Sequence, residues 1–260
     1  MLSKSAFLCM FSLLSVAPAF ADPTLDQAVQ SPGRSTAFVS RDVVRHPVEE
    51  LTFFGLKPDA NVVEIWPFGG YWTQILAPYL HDYGTYTVAL GPFDLKKQTI
   101  SQFQSEHPEV YGRIKTTQFA SQHLDFAPAN SVDLVLTFRN MHNWMKAGNA
   151  PEMLAAIHRA LKPGGILGIE DHRGNTTAPQ DPQAKDGYVR QAYAIDLIQK
   201  AGFKLVGTSE INANPKDTAN WPKGVWTLPP TYALGAKDHA KYEAIGEGDN
   251  FVLKFQKIKD

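Results

Sequence analysis

At 260 residues, with 43% hydrophobic side chains, the chain is long enough to bury one sizeable core and too apolar for intrinsic disorder. Its 25 basic and 26 acidic residues nearly cancel and the basic ones are scattered. That leaves no electrostatic footprint for nucleic acid or an anionic membrane, points to a small-molecule substrate, and leaves the oligomeric state open.

The chain opens with Lys4, an apolar run "AFLCMFSLLSVA" and an A-x-A site ending at Ala21. This is the three-part pattern of a secretory signal peptide over residues 1–21. The run is shorter than the roughly 20 residues a membrane span needs. No stable anchor is therefore expected after cleavage, and the mature chain is expected to be periplasmic or secreted. Cys9, the only cysteine, lies inside that segment. The mature chain is expected to lack disulfides, zinc-thiolate sites and a cysteine nucleophile.

Residues 22–40 are polar and suggest a loose arm. In "HPVEELTFFGL", Pro47 at a helix start, carboxylates in the first turn and Gly55 at the end predict a helix. A strand "NVVEI" follows, then a helix over "YWTQILAPYLH", a strand "TYTVAL", and a polar helix over "LKKQTISQFQSEH" closed by Pro108. "RIKTTQF" and "SVDLVLTF" are the third and fourth strands, the latter apolar enough to be buried on both faces. Asn149 caps the helix "APEMLAAIHRAL", "KPGG" breaks it, and "ILGIE" is the fifth strand. A helix over "GYVRQAYAIDLIQKAG" and two strands, "FKLVGTSEI" and "NFVLKFQKI", complete the pattern.

Strand and helix alternate five times, which predicts an α/β fold: one doubly wound, Rossmann-like, mostly parallel sheet covered on both faces. Residues 22–260 then form one domain. Residues 212–249, between the last two strands, are too long and too rich in Pro, Gly and aromatics for an ordinary connection. They are either a lid over a ligand or a surface flap with no ligand role.

In such a sheet ligands lie beyond the carboxyl ends of the strands. After the first strand stand Glu64, then Gly69 and Gly70 at a helix start, with Thr73 in the first turn. Free N–H groups of that helix would face a ligand. Trp66, Tyr71, Trp72 and Trp144 either offer aromatic faces to a cation or pack in the core and at its rim. His142 follows the fourth strand beside Arg139 and Asn140, where an imidazole can act as general base, or simply cap a loop. At the fifth strand end, Asp171 can orient His172 for proton transfer, or pair with Arg173 and fix the loop. A metal site is not expected: no compact H-x-x-x-H pairing exists, and adjacent strand residues such as Asp171 and His172 should point apart. The absence of G-x-G-x-x-G argues against a nicotinamide dehydrogenase.

"VVEIWPFGGYWTQILAPYL", "ALKPGGILGIEDHRG" and the triplets Arg45-His46-Pro47, Arg139-Asn140-x-His142 and Asp171-His172-Arg173 together resemble class I S-adenosylmethionine-dependent methyltransferases, within them a subgroup of exported or predicted bacterial methyltransferases. The resemblance implies a seven-stranded sheet with a reversed last strand, S-adenosylmethionine as cofactor, and a methyltransferase acting on a small molecule. It implies cofactor contacts from Glu64, Gly69, Gly70, Tyr71, Thr73, Asp125, Phe126, Arg139 and Asn140, with Asp125 and Phe126 at the adenine. Catalysis would fall to His142, Asp171 and His172, and His46 would reach the crevice. Two departures stand out: Trp66 and Phe68 replace glycines of the usual acid-x-Gly-x-Gly-x-Gly loop, and Gly91-Pro92 replaces the acid that binds the ribose, with Asp94 three residues later. Phe68 must therefore point away from the cofactor or narrow its site. The competing expectation is a non-catalytic ligand-binding protein on a degenerate methyltransferase fold.

Overall fold

The computed structural model describes residues 24–258 except 176 and 178. The expected signal peptide lies outside the described residues.

The described residues form eight strands: β1 (Asn61–Ile65), β2 (Thr85–Leu90), β3 (Lys115–Gln118), β4 (Val132–Phe138), β5 (Leu161–His172), β6 (Phe203–Ser209), β7 (Pro222–Val225) and β8 (Asn250–Lys257). Seven of them form one sheet in the order β3-β2-β1-β4-β5-β8-β6. β1 to β5 are mutually parallel, and β8 runs antiparallel to both β5 and β6. The doubly wound fold and its reversed last strand are as expected.

Alternation along the strands builds two cores, one on each face. On one side Val63, Ile65, Val135 and Leu167 pack with Leu154 and Ile157. On the other, Val62, Leu134, Leu136 and Phe138 pack with Leu51, Phe54 and Ile75. The helix Pro47–Phe54 begins at a proline, carries Glu49 and Glu50 in its first turn, and stops at Gly55 with φ 82°. It drives Phe54 onto the sheet, and Gly168 is glycine for that reason: a Cβ there would lie 2.7 Å from the Phe54 ring.

Several elements differ from expectation. Residues 22–40 are not a loose arm over their described part. They form short helices at Leu25–Val29 and Thr36–Val39, held by the Arg34 guanidinium, which donates to Asp42 at 2.7 and 2.8 Å. The polar helix before Pro108 is broken at Gln98, φ 55°, into Pro92–Lys97 and Thr99–Glu106. The segment after β4 is not a loop but a helix, Met141–Ala147.

Chain direction locates the crevice. From β1 the sheet is built outward to β2 and β3, then the chain returns to lay β4 on the other side of β1. Connections diverge from that point, opening a cleft above the carboxyl ends of β1 and β4.

Phe54 is fully buried and packs against β5 at Gly168. Phe54→Ala is expected to lower unfolding free energy by about 3–5 kcal/mol, read as a shift of the urea midpoint at unchanged slope.

Candidate active site

A cavity of about 630 Å³ occupies this cleft. Its floor is Glu64 and the loop from Trp66 to Gly69, and its far wall holds Arg139, His142 and His172. Val225, Trp226, Pro229, Pro230 and Thr231 close it from within the 212–249 segment.

The loop keeps a left-handed backbone at Trp66 (φ 50°), Phe68 (φ 51°) and Gly70 (φ 82°), the three positions where a glycine loop would carry glycine. A left-handed non-glycine residue is strained by about 1–3 kcal/mol, so packing must hold both aromatics in place. Trp66 donates from Nε1 to the Phe119 carbonyl at 2.7 Å and stands edge-on to Trp144 at 6.2 Å. Its indole lies over Gly91, where a Cβ would come within 2.7 Å of three ring atoms. The two departures are thus one packing event: Trp66 covers the end of β2, and only glycine leaves room beneath it. Phe68 narrows the cavity rather than pointing away, with its ring 5.4 Å from Phe93. Asp94 is committed to the backbone, accepting from Gly91 N–H at 2.8 Å and also from Phe68.

Glu64 accepts hydrogen bonds from Thr73 Oγ1 at 2.9 Å and from the Tyr86 hydroxyl. Thr73 therefore braces Glu64 and does not line the cavity, and Gly70 faces Phe103. Tyr71 lines the cavity, donates to Asp42 at 2.6 Å and carries the Arg45 guanidinium 4.4 Å from its ring centroid. Trp72 stacks on Phe138 at 4.1 Å, while Trp144 is core. Asp125 and Phe126 stand apart from the cavity: Asp125 is exposed and pairs with Arg159, and Phe126 packs on Phe119 in the core. Asn140 is buried and ties β4 to β1 through the Ile65 carbonyl at 2.9 Å. His46 bonds Asn212 at 3.0 Å and is not among the cavity's lining residues.

On the far wall the short helix Met141–Ala147 presents the backbone N–H and the imidazole of His142 to β5. His142 Nδ1 meets Asp171 Oδ1 at 2.8 Å, and His142 N–H donates to Oδ2 at 3.0 Å. Burial alone would push the Asp171 carboxyl up, but contact with His142 outweighs it and holds the group below the usual carboxylate range. Ionised Asp171 only accepts, so Nδ1 carries a proton toward it and Nε2 is the nitrogen left for a ligand. His172 Nδ1 meets Asn250 Oδ1 at 2.8 Å, a pairing set by the His172↔Asn250 register of β5 and β8. Burial lowers the His172 pKa to about 3, so its ring is neutral at physiological pH. The two rings lie 5.5 Å apart.

Asp171 and His172 do not point away from a common partner, as strand alternation had suggested. β4 ends at Phe138, opposite Glu170, so His142 lies beyond the carboxyl end of β4, where both Asp171 and His172 of the longer β5 stand beside it. The ligand atoms of His142, Asp171 and His172 fall within 4.8 Å of one another, the spacing of a metal site. Three donors already claim the Asp171 oxygens and Asn250 claims His172 Nδ1, which favours a hydrogen-bonded network.

Sequence reasoning missed Asn250, Trp226, Arg41 and Glu247. Trp226, 6.0 Å from His142, was detectable only as part of an unusually long segment.

Residues 69–169 match the family model described as a methyltransferase domain. Over that stretch the chain carries a methyltransferase domain. It is a methyltransferase enzyme, and S-adenosylmethionine is its cofactor. A methyltransferase from Aquifex aeolicus superposes with a TM-score of 0.59 at 14% identity, covering 84% of this chain and 93% of that one. The [4+2]-cyclase SpnF gives 0.58 at 16%, covering 89% and 86%. An arsenic(III) methyltransferase from Chlamydomonas reinhardtii gives 0.54 at 16%, covering 92% and 75%. These likenesses concern the fold. No curated protein matches the sequence. No helix among the described residues is long and apolar enough to cross a membrane.

The residues present fit the sulfonium end of that cofactor. The left-handed loop, the Glu64 carboxyl and the aromatic side chains of Trp66, Tyr71 and Trp72 all border the cavity. At the nucleoside end Trp66 stands where the ribose acid is missing.

Burial raises the Glu64 pKa from 4.5 to about 7, although Tyr86 and Thr73 favour its anion. The folded state thus retains a proton that the unfolded chain releases near pH 4.5. Stability from this group is complete below that value and is lost as pH rises through 7. Glu64→Gln escapes the loss, so between pH 5 and pH 8 it is expected to gain up to about 3 kcal/mol on the native chain. Thermal unfolding of both proteins across that range checks it, and a pH-independent difference would refute the assignment.

Proposed function

We propose that this methyltransferase acts outside the cytoplasm on a small molecule carrying a protic oxygen or nitrogen, with His142 as the general base. The observation that carries the reading is the Asp171–His142 pair, with His142 at the cavity wall. The cofactor, when bound, supplies an electrophilic methyl group on a positively charged sulfur. Glu64, Gly69, Tyr71, Trp72 and Arg139 are the residues bordering the space that would hold it. Of the other expected contacts, Thr73 and Asn140 act from beneath, as supports.

The acceptor's proton passes to His142 Nε2. Asp171 fixes the ring through Nδ1 and stabilises the imidazolium that forms, a division of labour that rewards an ionised, buried carboxylate. His172 remains neutral beside it and orients through Asn250, so it adds no competing positive charge. Trp226 and the Pro229-Pro230 turn wall the same space and limit access of water, which supports a lid role for residues 212–249. Export rests on the n-region, apolar run and A-x-A site of residues 1–21 and accords with a mature chain free of cysteine.

Radiolabelled methyl transfer to a panel of phenols, amines and small acids identifies acceptors. On any acceptor found, His142→Ala is expected to lower the rate at least about 100-fold while calorimetry shows S-adenosylhomocysteine affinity within twofold of the native value. Undiminished turnover would remove His142 from the mechanism. Binding of neither S-adenosylmethionine nor S-adenosylhomocysteine at millimolar concentration would remove methyl transfer itself.

A further inference from the structure

The cavity has a cationic side that methyl transfer does not call for. Arg41, Arg45 and Arg139 all line it, and one carboxylate, Glu247, is shared among the three. Arg41 takes Glu247 in a two-pronged pair at 2.6 and 2.7 Å, and Arg139 reaches it at 3.0 Å. Arg45 is left 3.8 Å away, beyond hydrogen-bonding distance. The Glu247 carboxylate is held where it stands by Arg41 and Arg139, and its backbone carbonyl accepts from Asn214 at 2.6 Å.

Arg45 is 6% exposed, and its Nε has no hydrogen-bond partner. Its guanidinium is fixed in place over the Tyr71 ring at 4.4 Å. A buried, pre-oriented guanidinium with an unfilled N–H is a donor set awaiting a planar acceptor. The other acids nearby are committed: Asp42 to Arg34 and Tyr71, Glu64 to Thr73 and Tyr86, Asp171 to His142, and Glu50 to Asn212. Glu170 lies 3.9 Å from Arg139 and completes the count of three guanidiniums against two carboxylates. One negative charge is missing.

The cationic side adjoins the imidazoles. Gly248, next to Glu247, packs so closely on His172 that a Cβ would lie 3.4 Å from Nδ1. The same cavity is lined by the apolar rings of Trp72, Phe138 and Trp226, the last 6.0 Å from the His142 ring. We propose that the acceptor is a small carboxylic acid with an apolar, ring-sized body, its carboxylate seated on Arg45 and Arg139 and its nucleophile turned toward His142. This names the substrate class of the site described above and rests on that reading of it.

A carboxylate is also present on the amino-acid tail of S-adenosylhomocysteine, so the test separates the two sources. Benzoate, S-adenosylhomocysteine and its descarboxy analogue are titrated calorimetrically into the native protein, Arg45→Met and Arg45→Lys, with thermal unfolding confirming that each variant folds. Benzoate is expected to bind the native protein, at least tenfold more weakly to Arg45→Met and at least threefold more weakly to Arg45→Lys, which keeps the charge but loses the fork. The latter variant decides if Arg45→Met does not fold. S-adenosylhomocysteine is expected to change less than threefold. No benzoate binding to the native protein, or equal binding to the variants, overturns the proposal. So does a loss confined to S-adenosylhomocysteine and absent for its descarboxy analogue, which gives the subsite to the cofactor tail. Benzoate affinity unchanged in His142→Ala is expected, and it keeps failure of the general-base reading distinct from failure of this one.

Discussion

The site depends on one buried carboxylate. Asp171 is fully buried and accepts from the His142 ring, the His142 backbone and the His172 backbone. An unpaired ion at that depth would be far too costly to retain, whereas a carboxylate with three good donors remains ionised. Its charge sets the His142 tautomer, its second oxygen fixes the start of the helix Met141–Ala147, and its position at the end of β5 fixes where both stand relative to the sheet. Removing any one donor would leave the others holding a charge that the remaining contacts balance poorly. The catalytic geometry and the local fold are therefore the same set of bonds.

Backbone strain also marks the same cavity. Trp66, Phe68 and Arg139 all line it and all have left-handed backbones, as does His46 just outside. Such conformations persist where surrounding packing over-determines them. For Trp66 the determinants are the Phe119 carbonyl and the vacancy of a side chain at Gly91. The β1 loop thus keeps the shape of a glycine loop while its side chains rebuild the surface above it. An indole over the end of β2 shifts the open part of the crevice toward β4 and β5, where the histidines and arginines are.

Most of the framework was legible because its burial is apolar and periodic. The segments "NVVEI", "TYTVAL" and "SVDLVLTF" became β1, β2 and β4, and Pro47 and Gly55 marked their helix to the residue. What escaped notice is held by polar or long-range contacts. The arm at residues 24–39 is ordered by Arg34 with Asp42 and by Ser35 with Gln74, pairings that no periodicity announces. The break at Gln98 has neither glycine nor proline to signal it. His142, Asp171 and His172 could be singled out by their place after strands, and the structure brings the three together. Asn250 could not, since only the β5–β8 register carries it to His172. Asp125 illustrates the reverse failure: its position after β3 suggested a ligand contact, yet its side chain faces solvent and Arg159.

The comparison with known folds sharpens what the 212–249 segment contributes. The same sheet supports methyltransferases and, by name, a [4+2]-cyclase, so the reaction must be decided above the strands and not within them. Here that upper surface is built largely from one segment. Trp226 faces His142, Glu247 gathers the arginines, and Asp217 clamps the segment down by accepting from Tyr188, Trp221 and the Asp249 backbone. Because Asp249 leads directly into β8, whose first residue Asn250 orients His172, the roof and the reacting groups share one stretch of backbone. A change in the roof is thereby transmitted to the imidazole through a hydrogen-bonded strand, and selection for a new acceptor would act on residues 212–249 with the sheet left intact.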